Sequence, residues 1–456
     1  MLVGNPKASW CLPEVRGLTR EEGIALLDRA AEVGLLTSHG GGYYGIHPAL
    51  PWFFKGLFER CYSVEGLTAV RAFVEAMGGL GDYYHNQYNR GNRDVLAALR
   101  AEEANLLHAR RLARVQGWWD PVISAMQGLR QFYGHTGRRA EWKRLVEEIV
   151  PDFVDPANGG PLPGREGRWS LVTEYRVRLA REERQWAEAE RLQTARVDWN
   201  RRRAAPALAR PAGELESDEK QTIRTLAVSL ESLGNIRREL GRAECIPAYE
   251  EAIELSEQIG DQAETAMCAF NLGHVYIELP TLRDLDQAER WYQRSLELHD
   301  ESDRQGRGQC VGQLGGVTYE RFLEARTAKR PEKELLRHIN EAVKLYHEAL
   351  DLFPADAVND LAANHNQLGN IYTAAGDFDR AVQHYREAVQ RFEEAGDIFN
   401  AALTRRNVAI ALLNAGRRAD ALEYAEAALR GFESFGERAG EMIERTHRLI
   451  AEIRGA

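Results

Sequence analysis

NQLGNIYTAAGDFDRAVQHYREAVQRFEEAG, residues 366–396, holds two helical patterns around a four-residue turn, Gly376-Asp377-Phe378-Asp379. In the first pattern Leu368, Gly369 and Tyr372 fall at i, i+1 and i+4, placing a residue without a side chain beside an aromatic on one face. In the second, Ala381, Tyr385 and Ala388 follow at i, i+4 and i+7, again one face of a helix. Small residues let two backbones approach, and the rings fill the space beside them. A single copy fits any helical hairpin with a Tyr/Ala face, so recurrence decides.

The second-helix pattern recurs as YEEAIEL (249–255), YQRSLEL (292–298), YHEALDL (346–352) and YREAVQR (385–391), with a weaker AEAALRG at 425–431. The first-helix pattern recurs as SLGNI (232–236), NLGHVY (271–276), QLGGVT (313–318) and QLGNIY (367–372), with NVAIAL (407–412) as a degenerate last copy. Tyr249, Tyr292, Tyr346, Tyr385 and Ala425 are 43, 54, 39 and 40 residues apart. From about 220 to 440 the chain resembles the tetratricopeptide repeat (TPR) family, in which LG, Tyr, Ala, Phe or Tyr, and Ala recur in this order. The spacing exceeds the usual ~34 residues, so each helix is expected to be about a turn longer. The resemblance implies an all-α fold, a right-handed superhelix of helix pairs (an α-solenoid) with its concave face lined by first helices.

The chain has 456 residues, of which 44% are hydrophobic, ample for more than one core in a soluble protein. Cys11, Cys61, Cys245, Cys268 and Cys310 show no C-x-x-C spacing, which disfavours zinc or a disulfide framework and fits a reducing cytosol. No run approaches the ~18 uninterrupted apolar residues of a membrane span. No basic region followed by an apolar run opens the chain, so no signal peptide is expected, and the localisation expected is cytoplasmic. A net charge of -10 argues against a dedicated nucleic-acid binder. Residues 101–210 are the exception, with 20 Lys+Arg against 15 Asp+Glu; a solvated helical surface or an interdomain contact accounts for them.

Residues 1–60 differ in character. LTREEGIALLDRAAEVGLL (18–36) places Thr19 and Glu22 at capping-box spacing, Ile24, Leu27 and Ala31 on an apolar stripe, and Gly34 at a helix end. Leu35–Thr37 and Tyr43–His47 then read as a short hairpin around a Gly-rich turn. The order helix, GLL, hairpin, Y-x-x-H-P resembles the winged-helix module of bacterial signal-transduction ATPases with numerous domains, the STAND class related to NLR proteins. EEANLLHARRLA (102–113) likewise resembles the segment that links winged helix to repeats in those regulators. The resemblance implies a nucleotide-sensing role for His47; capping or packing at a strand-helix junction is the other reading. No G-x-x-x-x-G-K-[ST] loop occurs, and the nearest glycine cluster, GGPLPGREG (159–167), lacks the Lys-Ser/Thr. Two explanations stand: a piece of a larger ATPase, favoured because the first two helices of the winged helix are missing, or a free-standing relative that lost its motor.

The organisation expected is a partial winged-helix-like domain (1–60), a helical linker or degenerate helical repeats (61–168), a degenerate TPR and linker (169–218), about five repeats of ~40 residues (219–440), and a capping helix (441–456). Glycines at 78–81 read as a pause between helices, and residues 99–149 as two helical hairpins. The prolines at 151–167 and 203–218 read as loops. The long third repeat carries an insertion at 324–336, expected to lengthen both helices around a turn at Pro331.

No metal-ligand, nucleophile or oxyanion motif appears, so neither catalysis nor a cofactor is expected. With the Gly of LG as position 8, positions 2, 5, 9 and 12 of each first helix share the face opposite the packing residues. There stand Asn235 and Arg238, then Phe270 and His274, then Tyr319, then Asn366, Asn370 and Thr373, and last Arg406. Amide, aromatic and Arg side chains suit a protein or peptide ligand. The TPR clamp for acidic C-termini uses Lys and Asn at such sites, and here the Lys is missing. The function expected is a non-enzymatic sensor in a STAND-type system, binding a protein or peptide trigger, with an ATPase or effector domain of the same system as a further partner. A free-standing TPR adaptor is the alternative, and a winged-helix transcription regulator the third reading. Without a P-loop, the purified chain is expected neither to hydrolyse ATP nor to melt later in millimolar Mg-ATP. A ligand at ~100 times its Kd would stabilise by about 2.7 kcal/mol, so such a shift in a thermal melt would reveal a nucleotide site that the sequence conceals.

Overall fold

The computed structural model describes residues 19–40, 43–46, 56, 60 and 66–455. Among them are 18 helices and one two-stranded antiparallel sheet, and no helix is long and apolar enough to cross a membrane. The chain divides into two compact units, residues 1–175 and 176–456.

In the first unit, α1 (Arg20–Glu32) opens on the expected capping box. Thr19 N–H donates to Glu22 Oε2 at 2.7 Å, and Glu22 N–H donates to Thr19 Oγ1 at 3.2 Å. Gly34 takes the left-handed φ of 77° that ends the helix. The hairpin follows as β1 (Leu36–Gly40) and β2 (Tyr43–Ile46), pairing Leu36 with Ile46. The apolar stripe of α1 is not buried: Ile24 is 44% and Leu27 41% exposed. His47 lies outside the described residues.

The unit continues with α2 (Gly66–Asn89), α3 (Val95–Gln116), α4 (Trp119–His135) and α5 (Arg139–Phe153). Thus residues 99–149 carry parts of three helices, not two hairpins. Gly78–Gly81 do not interrupt α2, because these glycines are there for contact. A Cβ on Gly81 would stand 2.4 Å from Ser124 O, and one on Gly128 would stand 3.0 Å from Gly81 Cα, so α2 and α4 touch backbone to backbone. The Tyr/His/Asn-rich end of α2 is tied to the same partner, with Gln131 Nε2 lying 2.9 Å from His85 Nδ1 and 2.9 Å from Asn89 Oδ1. The aromatics pack as core: Trp142 meets Tyr175 edge-on at 5.1 Å and Trp119 meets Phe153 at 5.3 Å.

α5 runs through Pro151 to Phe153, so the loop before α6 (Glu166–Glu182) is shorter than its prolines imply. The same holds for α7 (Trp186–Leu208), which carries Pro206 in its last turn. A proline removes one i→i−4 hydrogen bond, and only two residues follow it here, so little helix is lost. The expected loop at 203–218 therefore contracts to residues 209–216.

The second unit is an α-solenoid of helix pairs, α8/α9 (Ser217–Glu239, Cys245–Ile259), α10/α11 (Gln262–Glu278, Leu285–Leu298), α12/α13 (Arg304–Thr327, Glu332–Leu352), α14/α15 (Val358–Ala375, Phe378–Glu394) and α16/α17 (Ile398–Asn414, Arg418–Glu433). α18 (Gly440–Arg454) closes it, burying Leu449, Ile450 and Ile453 in a cluster with Val408 and Leu412. Each pair is held by the contact that the repeat pattern encodes. A Cβ on Gly234 would stand 2.7 Å from the Tyr249 ring, on Gly273 2.5 Å from Tyr292, on Gly315 3.1 Å from Tyr346, and on Gly369 2.5 Å from Tyr385. In the last pair the ring is gone and so is the need for glycine: Ala409 faces the Ala425 position, and both are fully buried. Turns repeat a second device, seen where Gly260 (φ 75°) and Gly396 (φ 72°) end second helices, and Asp261 and Asp397 accept from Glu264 N–H and Asn400 N–H. The insertion lengthens α12 and α13 to 24 and 21 residues around an exposed turn before Pro331.

Gly369→Leu should therefore destabilise the array by about 1–3 kcal/mol through overpacking, measured by urea unfolding. Ala425→Tyr alone should also destabilise, and adding Ala409→Gly should recover part of the loss. A Gly369→Leu protein of wild-type stability would refute this account of the helix pair.

Candidate functional site: a groove across three first helices

The first helices α10, α12 and α14 together border a groove of about 590 Å³ within the second unit. α10 contributes Phe270, His274 and Ile277, one turn apart along one stripe. α12 contributes Gln309, Gly312, Gln313 and Gly316, then Tyr319 and Glu320. α14 contributes Asp360, Ala363, Asn364, Gln367 and Asn370. The Gly–Tyr contacts commit one face of each of these three first helices to its second helix, and these side chains stand on the face left over. Second helices supply only the back wall, Tyr346 of α13 and Phe353 beyond it.

Of the nine inner-face residues read from the sequence, the groove brings together Phe270, His274, Tyr319 and Asn370. They are half-buried and already linked. Tyr292 hydroxyl lies 3.1 Å from His274 Nδ1, Phe270 meets His274 edge-on at 4.7 Å, Tyr385 hydroxyl donates to Asn370 Oδ1 at 2.8 Å, and Tyr319 hydroxyl donates to Asn370 O at 3.4 Å. The other five lie outside this lining. Asn235 accepts from Tyr249 hydroxyl at 2.7 Å and donates to Glu231 at 2.5 Å; Arg238 donates to Asn271 Oδ1 at 3.3 Å. Asn366 Oδ1 accepts from Thr404 hydroxyl at 3.3 Å, Thr373 hydroxyl donates to Gly369 O at 2.8 Å, and Arg406 is half-buried with its Nε lacking a hydrogen-bond partner. Thus Asn366, Asn370 and Arg406 are half-buried parts of the inner face and not freely exposed side chains.

Sequence reasoning missed Gln313 and Gln367, Glu320, Asn364 and Asp360. Gln313 and Gln367 both stand two residues before the Gly of LG, so the signal was the neighbouring stripe of the same helices. Asp360 stands a turn earlier than any position considered.

Two stretches, residues 225–301 and 359–434, match the tetratricopeptide repeat family model. Those two stretches are tetratricopeptide repeats. No curated protein sequence matches the chain. Among solved structures, it is similar to BtubC from P. vanneervenii at 19% identity, over 52% of this chain and 92% of that one, with a TM-score of 0.41. It is similar to a signal-transduction ATPase with numerous domains and a TPR sensor from Pyrococcus horikoshii at 13% identity and a TM-score of 0.48, over 93% of this chain and 58% of that one. It is also similar to a Rap protein complexed with Competence and Sporulation Factor, at 12% identity over 83% of this chain and 98% of that one, with a TM-score of 0.45.

Where the first two TPR pairs meet, half-buried carboxylates titrate unusually. Burial, then the charges of Glu231 and Asp261, pushes the Glu264 carboxyl up to about 7. Burial also raises Glu231, although Asn235 and Asn271 donate to it. Burial, with the Arg238 charge second, lowers His274 to about 4, so the imidazole in the groove is neutral at neutral pH. Glu264 keeps its proton in the folded protein up to about pH 7, against 4.5 unfolded. Its contribution is therefore fully present below the unfolded value and lost as pH rises through the folded one. Glu264→Gln should then raise the melting temperature at pH 8 and lose that advantage near pH 4.5, the histidines cancelling in the comparison. A difference between variant and wild type that is the same at both pH values would contradict the assignment.

Proposed function

We propose that the chain is a non-enzymatic sensor of a STAND-type signalling system, which captures a protein or peptide trigger in the groove of α10, α12 and α14. The observation that carries the binding part is the groove itself: amides, aromatics and two carboxylates from three successive first helices on one open surface, with no arrangement of nucleophile, base and oxyanion donors. Such a lining can hydrogen-bond a main chain along its length and offer apolar contacts at the Phe270 end. The signalling part rests on the sequence patterns at 18–48 and 102–113. His47 is the residue proposed to sense nucleotide on a partner ATPase domain. The inner-face residues outside the groove, Asn235, Arg238, Asn366, Thr373 and Arg406, extend the contact surface to either side.

Ala363 is exposed and lines the groove. Ala363→Trp should fill the groove, keep the wild-type melting temperature and abolish binding of peptides selected from a random library on the full chain. Selected peptides that bind Ala363→Trp as well as wild type would place recognition elsewhere. The signalling part is tested separately, by an in-frame P-loop encoded immediately upstream.

A further inference from the structure

α12 carries five glycines, Gly306, Gly308, Gly312, Gly315 and Gly316, in a helix where each weakens the backbone relative to alanine. Gly308 and Gly315 are required by packing, since a Cβ would meet the Phe353 ring at 2.8 Å and the Tyr346 ring at 3.1 Å. Gly312 and Gly316 are different. Both line the groove, and the nearest atoms to an added Cβ are polar: Asn364 Oδ1 at 3.0 Å and the Tyr346 hydroxyl at 3.3 Å. Gly316 leaves bare backbone on the groove floor, whereas Gly312 is itself buried beneath the Asn364 amide.

Asn364 stands across that floor and is only 8% exposed. Its Nδ2 donates to Asp360 O at 2.9 Å, which sets the orientation of the amide, and its Oδ1 accepts no hydrogen bond. A buried acceptor without a donor is uncommon in a folded protein, and the groove is where a donor could come from. One turn earlier, the Asp360 carboxylate accepts from Gln305 Nε2 at 2.7 Å and Gln309 Nε2 at 3.1 Å. Both donors are neutral, and among the described residues no cation pairs with this carboxylate. Glu320, on the far side of the floor, is paired with Arg283 at 2.9 Å. No Lys or Arg lines the groove.

We infer that the groove selects an extended peptide carrying a positive charge: the main chain lies over Gly316 and Asn364, a ligand N–H donates to Asn364 Oδ1, and a Lys or Arg side chain is held by Asp360. This rests on the proposed function and names the ligand class for the same site. An acidic tail meets the wrong sign of charge here and finds no cation to hold it. Bare floor and amide lining favour any main chain equally, so Asp360 sets the preference.

The test is fluorescence polarisation on the full chain with three fluorescein-labelled pools of terminally blocked octapeptides, random except for enrichment in Lys/Arg, in Asp/Glu or in Ser/Gln. The basic pool should bind about tenfold tighter than the acidic pool at low salt, with the margin shrinking as salt rises. Asp360→Asn, nearly isosteric, should bring the pools toward parity, Asp360→Lys should reverse their order, and Asn364→Leu should weaken all three alike, each checked for an unchanged melting temperature. An acidic pool that binds more tightly, or an order untouched by Asp360→Asn, overturns the inference. If all pools bind wild type equally and Ala363→Trp abolishes that binding, the groove reading stands and charge selection falls. If no pool binds, or Ala363→Trp binds like wild type, both fall together.

Discussion

The contact between a side-chain-free position on one helix and a tyrosine ring on the next is the constraint on which the array depends. In four pairs the space above the glycine is occupied by the ring to within 3.1 Å or less of where a Cβ would be. That distance leaves no tolerance for a larger residue, and it fixes both the separation of the two helices and their rotation about their axes. In the fifth pair the ring and the glycine are both absent, and Ala409 and Ala425 are buried in one cluster at those positions.

Rotation is what creates the site. Once the Gly–Tyr contact commits one face of each first helix, the opposite face is left to its neighbours in the stack and to solvent. Three such faces, from α10, α12 and α14, make the groove. The long third pair sits in the middle of it, and α12 is the helix whose glycines serve two purposes. Gly308 and Gly315 let rings approach and Gly312 lets the Asn364 amide approach, whereas Gly316 keeps the floor bare. A single residue type thus brings neighbouring helices into contact along one stripe of α12 and leaves a binding surface open along the adjoining one.

The polar groups show how burial changes their chemistry. Glu231 and Glu264, at the α8–α10 junction, are carboxylates that burial drives toward the neutral acid, while His274 is an imidazole that burial keeps uncharged. The inner face consequently carries less charge than its composition implies. Asp360, near the start of α14 and held by two glutamine amides, has no cation among the described residues to offset its charge.

Much of the array is legible in the amino-acid sequence, because a repeat states its packing rule several times over. Helix periodicity, the LG and Tyr positions and the Gly-Asp turns identify the pairs, and the capping box at Thr19 and Glu22 identifies the start of α1. Local signals mislead where a residue serves a distant partner. Gly78–Gly81 read as a break in the chain because glycine weakens a helix, but α4 lies against them and holds that helix continuous. Pro151 and Pro206 read as loops because proline breaks helices, yet each falls in a last turn where little remains to break. The inner face is likewise legible as a stripe of positions on first helices, but not which members of it share one groove. Asn235 and Asn370 occupy the same position in their repeats; Asn235 is drawn into a network with Glu231, while Asn370 lines the groove. Periodicity determines which way a side chain faces from its own helix. Which neighbours it meets there depends on the stacking of helices far apart in sequence, and that only the tertiary structure decided.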